Sequence, residues 1–173
     1  IFLRQRGIDC VLLERDATPQ GSTALSSGFI PAPGTRVQRA AGVDDSPARF
    51  AADIQAKAHG TAAPHLVAAY TQAIGPAIDT LQQRHGLHFD VLDGFLYPGH
   101  SVHRMHTLPQ RTGAALMAAL QAAATRAGVD IVTQALVREL WVDDADRVIG
   151  IGYQRPDGRT EHLACRVLLL ACN

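Results

Sequence analysis

Lysine is almost missing from this chain. Lys57 is the only one among 16 basic residues, and the others are arginines. That scarcity removes two mechanisms. Ala58 follows Lys57, so there is no G-K-[S/T] phosphate loop. None of Tyr70, Tyr97 and Tyr153 has a lysine four positions later, which excludes the Tyr-x-x-x-Lys pair of short-chain dehydrogenases. Charge of one sign is not in excess either: 16 basic residues face 16 acidic ones and the pI is near 7.3. A surface that tracks nucleic-acid phosphates needs such an excess, so no nucleic-acid partner is expected. Cysteine is sparse, at Cys10, Cys165 and Cys172, with no C-x-x-C pair. A disulfide framework and a zinc knuckle are thereby disfavoured, and a cytoplasmic setting is expected. The longest apolar runs fall far short of the roughly 20 residues of a membrane span. No signal peptide is visible, and neither G-x-S-x-G nor G-x-G-x-x-G occurs.

What is present suits a packed domain: 47% hydrophobic and 18% charged residues. IDCVLL (8–13) is a short apolar run that fits a strand buried on both faces of a parallel sheet. Residues 16–36 are rich in Gly, Pro, Ser and Thr and read as loop. Ser46-Pro47 predicts a helix start, running to about Ala58. A second helix is expected over 63–85, kinked at Gly75-Pro76 and closed by Gly86. Residues 87–97 read as short strands, and 98–111 as irregular. An Ala-rich helix follows over 112–127, with Thr112 as its N-cap and Gly128 as its stop; VDIVT (129–133) is a strand. LVRELWVDD, RVIGIGYQ and TEHLACRV, separated by turns, predict an antiparallel meander, and VLLLA (167–171) a last buried strand. The order predicts an α/β fold, an incomplete Rossmann-like domain with an antiparallel β-meander insert. IFLRQRG reads as a helix end closed by Gly7, and VLLLACN stops just after an apolar run. An internal fragment of a longer protein is therefore expected.

Two features point to a dinucleotide. Glu14 ends the first strand, where an acidic residue hydrogen-bonds ribose in dinucleotide-binding folds; a surface Glu is the alternative. The glycine fingerprint, due about 20 residues upstream, would precede Ile1. GSTALSSG (21–28) then places four hydroxyls and two glycines together. Such a run either cradles a pyrophosphate with hydroxyls and bare N–H groups or is a surface loop. His100, His103 and His106 match no common zinc spacing, so no metal is expected. They mark either a polar segment near a cofactor or substrate edge, with Arg104 available for a carboxylate or carbonyl, or a plain surface loop. Asp143, Asp144 and Asp146 lack the glycine-containing calcium loop and read as a hairpin turn.

VLLERDATPQGSTALSSGFI resembles the FAD-binding segment of the fumarate reductase and succinate dehydrogenase flavoproteins, with 3-ketosteroid and tricarballylate dehydrogenases as relatives. DDSPARFAADI, the block from His103 to Leu140, and RVIGIGYQRPDGRTEHLACRVLLLACN resemble later family segments in the same order. The resemblance implies an FAD-dependent oxidoreductase acting on a small molecule, by hydride exchange at a carbon–carbon bond next to a carbonyl or carboxylate. Amine oxidases, monooxygenases and a non-catalytic truncated remnant are alternatives. Residues 1–173 would be a partial FAD-binding domain, without the glycine fingerprint and the later capping domain. By resemblance Glu14 binds the adenosine ribose, and Ser22, Thr23, Ser26, Ser27 and Gly28 line the pyrophosphate and isoalloxazine. Val137 meets adenine through its backbone, while Ala171 and Cys172 approach the ADP part. Asn173 and Phe29 stand where glycines are common. Arg104 and His106 are the candidate substrate contacts. Succinate dehydrogenases carry a flavin-linked His just before the loop Thr; Ser22 occupies that position, which implies noncovalent FAD. The resemblance names neither a catalytic residue nor an electron partner.

Overall fold

The structure, a computed structural model, describes residues 1–172. The chain divides into two compact units, Ile1–Gly21 with Gln121 onward, and Ser22–Leu120.

In the first unit, β1 (Val11–Leu13) pairs in parallel with β5 (Asp130–Val132), Val11 opposite Asp130 and Leu13 opposite Val132. The pairing continues beyond the strands: Glu14 N–H donates to the Val132 carbonyl at 2.9 Å, and the Glu14 carbonyl accepts from Ala135 at 2.9 Å. β6 (Leu136–Val142), β7 (Val148–Gln154) and β8 (Thr160–Ala164) form the expected antiparallel meander, in that order. Its core is Ala135, Ile151 and Tyr153, with Leu13, Val132, Leu163 and Leu168 packed against them. β6 is bulged: Val137 pairs with Tyr153 and Glu139 with Gly152, so Arg138 between them has no ladder partner.

Two apolar runs depart from expectation. Among the described residues β1 has one strand neighbour, and Val11 is 42% and Leu12 44% exposed, so the strand is not covered on both faces. Residues 167–171 form no strand; Leu168 packs inward, while Val167 and Leu169 are 85% and 82% exposed. Apolar composition favours burial, but a strand also needs a neighbour for its N–H and C=O groups, and none of the described strands pairs with this run. At the other end Gly7 does adopt the left-handed cap conformation, at φ 70°, but it closes a 3-10 turn (Arg4–Arg6).

In the second unit, α3 (Pro47–Lys57) starts as predicted, with Ser46 Oγ accepting from Arg49 N–H and Pro47 in the first turn. α4 (Pro64–His85) packs against it and stops at Gly86, left-handed at φ 71°. Helical structure continues through Pro76. Gly75 lies where a Cβ would come within 2.3 Å of the Pro33 carbonyl oxygen, so its bareness serves close packing. The segment expected to be loop holds α1 (Gly21–Leu25) and β2 (Ile30–Pro31), and α2 (Arg36–Ala40) starts at its last residue. α2 is set by a capping box, Thr35 with Gln38. β3 (Asp90–Val91) and β2 flank β4 (Met105–Thr107), both antiparallel, so the stretch read as irregular supplies the central strand of this sheet. α5 (Gly113–Arg126) begins after Thr112, whose Oγ1 accepts from Ala115 N–H at 3.2 Å.

No helix among the described residues is long and apolar enough to cross a membrane. Cys10, Cys165 and Cys172 are free thiols.

Candidate cofactor site

The 21–28 run is an ordered knot. Gly21–Leu25 makes one helical turn. Ser26 folds back on it: its N–H and hydroxyl both donate to the Thr23 carbonyl, at 3.2 and 2.7 Å. Ser26 Oγ in turn accepts from Gly28 N–H at 3.0 Å. The knot is then fastened to the start of α5, where Gly113 N–H donates to the Ser26 carbonyl at 2.7 Å.

Two glycines make that approach possible. A Cβ on Gly113 would lie 1.7 Å from the Thr23 carbonyl oxygen, and one on Gly28 would lie 2.8 Å from that of Thr112. Gly28 also sits at φ +68°, where L side chains are strained. Ser22, Thr23, Ser26 and Ser27 are all exposed, Ser26 with its hydroxyl engaged by the loop backbone, and Gly28 is buried. Phe29, where the family often has glycine, is half-buried with its ring edge-on to Tyr97 at 6.2 Å. Gly113 was not singled out from sequence. The available signal was a glycine opening an Ala-rich helix, where a helix former would otherwise be preferred.

In the other unit, Glu14 is half-buried at the end of β1, and its Oε1 accepts from Asp16 N–H at 2.8 Å. Its carbonyl accepts from Ala135 N–H, two residues before Val137, so the candidate ribose and adenine positions are linked where β1 runs beside the start of β6. Beside them a cleft of about 330 Å³ is lined by Arg15, Gln134, Leu136, Arg155 and Gly158 among others. Val137 is 37% exposed beside the bulge. Ala171 and Cys172 are exposed and outside any regular element. Asn173 lies outside the described residues.

Arg104 and His106 are interior residues, each 0% exposed. The Arg104 guanidinium meets Asp45 through Nε and Nη2 at 2.9 and 3.1 Å, and Asp53 through Nη1 at 2.5 Å. It also lies over the Phe50 ring, 4.5 Å from the centroid. Burial pushes the Asp53 carboxyl up, but Ser101 N–H, Arg104 and the Ser101 hydroxyl outweigh it, leaving Asp53 below the usual carboxylate range. A guanidinium held this way has no face open to a substrate carboxylate in this conformation.

His106 Nδ1 lies 2.9 Å from the Arg104 carbonyl, and Nε2 lies 2.7 Å from Thr35 Oγ1. A carbonyl only accepts, so Nδ1 carries the proton and Nε2 accepts from the Thr35 hydroxyl. Burial lowers the His106 pKa, against hydrogen bonds to the Arg104 and Ile30 carbonyls that raise it. His100 and His103 face other surroundings. The His100 ring packs against Phe50 and Tyr97, while the His103 carbonyl accepts from Gln38 at 3.0 Å. Among the described residues no three His, Cys, Asp or Glu side chains are grouped so that they could hold a metal ion.

A parallel strand followed by an acidic residue is the arrangement of dinucleotide-binding α/β domains. The family comparison agrees: the FAD binding domain model matches residues 1–173, and the chain belongs to that family. No curated protein matches it in sequence. Among solved structures it is similar to the 3-ketosteroid-Δ4-(5α)-dehydrogenase of Rhodococcus jostii RHA1, in complex with 4-androstene-3,17-dione. There the identity is 27% and the TM-score 0.79, over 94% of this chain and 40% of that one. A flavocytochrome c3 fumarate reductase in its open conformation shares the fold at 22% identity and TM-score 0.81, over 93% of this chain and 28% of that one. So does the 3-ketosteroid Δ1-dehydrogenase of Sterolibacterium denitrificans, in complex with 1,4-androstadiene-3,17-dione. Its identity is 15% and its TM-score 0.76, over 94% of this chain and 42% of that one. The chain thus spans less than half the length of each.

Proposed function

We propose that this chain forms the FAD-binding part of an oxidoreductase that exchanges hydride with a carbon–carbon bond next to a carbonyl or carboxylate, using noncovalent FAD. The observation that carries the reading is the 21–28 loop. Its backbone is drawn so tightly onto Thr112 and Gly113 that neither Gly28 nor Gly113 has room for a Cβ, while Ser22, Thr23 and Ser27 stay on the surface. A loop held at such steric cost, with several exposed hydroxyl residues, has the donor set and the rigidity for a pyrophosphate and a flavin edge. The 27% identity to the Rhodococcus dehydrogenase supports a carbonyl-activated substrate.

When bound, FAD supplies hydride acceptance and donation. The chain's own residues hold and orient it. Glu14 accepts hydrogen bonds from ribose hydroxyls, which a carboxylate does more strongly than a neutral group. Val137 offers backbone groups to adenine beside the bulge at Arg138. Ser22, Thr23 and Ser27 donate to phosphate oxygens or to the ring edge. Ser26 and Gly28 fix the loop that carries them. Ala171 and Cys172 border the ADP part. Ser22 has no imidazole nitrogen for a covalent flavin bond.

The test is purification of the full-length protein with a visible absorbance scan, followed by acid precipitation. Flavin bands that move wholly into the supernatant support noncovalent FAD. A yellow pellet refutes the noncovalent mode, and absence of flavin even after adding FAD refutes the cofactor reading.

A further inference from the structure

The mechanism above leaves unused the largest fully buried side chain, Arg104. A cation buried with two carboxylates is a costly arrangement, and a well-packed apolar core would serve stability at least as well. The position of its main chain gives it a use. The Arg104 carbonyl accepts from Ala32 N–H at 3.0 Å and from His106 Nδ1 at 2.9 Å. It therefore lies at the junction of β4 with β2, where Pro31 pairs with Met105 and Ile30 with His106. β2 begins two residues after Gly28. A Cβ on Gly28 would lie 2.8 Å from the Thr112 carbonyl oxygen, so the backbone here already sits close against Thr112.

A rigid path therefore runs from Asp45 and Asp53 through Arg104 to β4, then across to β2 and into the hydroxyl loop. His106 bridges the same junction to Thr35, its Nε2 2.7 Å from Thr35 Oγ1. Gln38 closes the frame, donating through Nε2 to Asp45 and to the His103 carbonyl, each at 3.0 Å.

We propose that Arg104 is a positioning residue for the flavin loop. Its guanidinium, fixed by Asp45 and Asp53, sets the height of β4 and so the placement of Gly28 and of the hydroxyls before it. It acts through the backbone and does not touch substrate. This rests on the reading of residues 21–28 as the flavin loop.

The experiment uses the full-length holoprotein with Arg104→Lys, Arg104→Met and Asp53→Asn. Ile78→Ala in α4, a core truncation that removes no charge and no hydrogen bond of the frame, serves as a matched destabilised control. FAD affinity, the visible circular dichroism of the bound flavin and its midpoint potential are measured beside Tm. Expected is a tenfold or greater loss of FAD affinity in Arg104→Met with an altered flavin dichroism. Arg104→Lys, which keeps the charge but not the fork, should fall in between. Ile78→Ala should lose Tm without either flavin change. If Arg104→Met does not fold, the Asp53→Asn variant, which keeps the Asp45 fork, carries the test alone. Variants that lose Tm like the control while affinity, dichroism and potential stay at wild-type values would overturn the proposal and leave the flavin reading intact. A wild-type protein that takes up no FAD overturns both.

Discussion

Replacing Gly113 by Ala puts the loop architecture at risk through a single methyl group. In an open first helical turn this change stabilises, since alanine is preferred over glycine in helices by about 1 kcal/mol. Here the sign should reverse. The new Cβ would start 1.7 Å from the Thr23 carbonyl oxygen and 2.8 Å from that of Ser26, whereas real Cβ contacts essentially never fall below 3.0 Å. The Thr23 carbonyl must retreat by about 1.3 Å to clear it. It is not free to do so without cost, because it accepts from both the Ser26 hydroxyl and the Ser26 N–H. Overpacking of this kind costs about 1–3 kcal/mol. The movement falls in the segment that carries Ser22 and Thr23, so FAD affinity should drop with stability, by about 2 kcal/mol or roughly thirtyfold. Isothermal titration with FAD and denaturant unfolding of the apoprotein read the two effects separately. Gly75→Ala is the comparison, since its Cβ would come within 2.3 Å of the Pro33 carbonyl oxygen, away from the loop. It should lose stability with a smaller change in affinity. A Gly113→Ala protein as stable as wild type, with unchanged FAD affinity, would refute the account of the loop as a glycine-locked cradle.

Three further outcomes are expected. Glu14→Ala should weaken FAD binding by about 1–3 kcal/mol, the worth of a charged hydrogen bond; equal titration curves for the two proteins would make Glu14 a surface residue. Arg104→Met should lower unfolding free energy by about 3–5 kcal/mol, because it strands Asp45 and Asp53 as buried charges without their partner; urea denaturation checks this. His106 should make stability depend on pH. Its folded pKa is lowered by burial, so the unfolded chain takes up the proton first. Its contribution is then complete above the unfolded value of about 6.5 and is lost as pH falls toward the lower folded value. Denaturation midpoints between neutral and mildly acid pH should fall less in a well-folded His106→Gln protein than in wild type.

Much of the helical framework was legible because its ends carry local chemistry. Ser46-Pro47 opens α3, Gly86 closes α4 and Thr112 caps α5, each by contacts within a few residues. The meander was legible for the same reason, from turn residues between β-rich runs. The sheet β2-β4-β3 was not. Its strands are two or three residues long, too short for an alternation to show, and β4 buries polar side chains. Arg104 reads as a solvated residue in a polar stretch until Asp45 and Asp53 arrive from 59 and 51 residues away. The composition of GSTALSSG pointed to close backbone approach. The partner in that approach is Gly113, and only folding brings the two together. For VLLLA the apolar content was right and the inference of a paired strand was not, since pairing depends on a neighbour that the run itself does not encode.

That same run has a practical consequence. Val167, Leu169 and Leu170 present three large apolar side chains to water within four positions, on backbone that none of the described strands pairs. A short, uncharged segment of this kind is a template for sticking to another copy of itself. Handled by itself at high concentration, the chain should therefore self-associate through residues 167–170. A lysine at Leu169 should act as a gatekeeper there, suppressing light scattering without touching Glu14 or the hydroxyl loop.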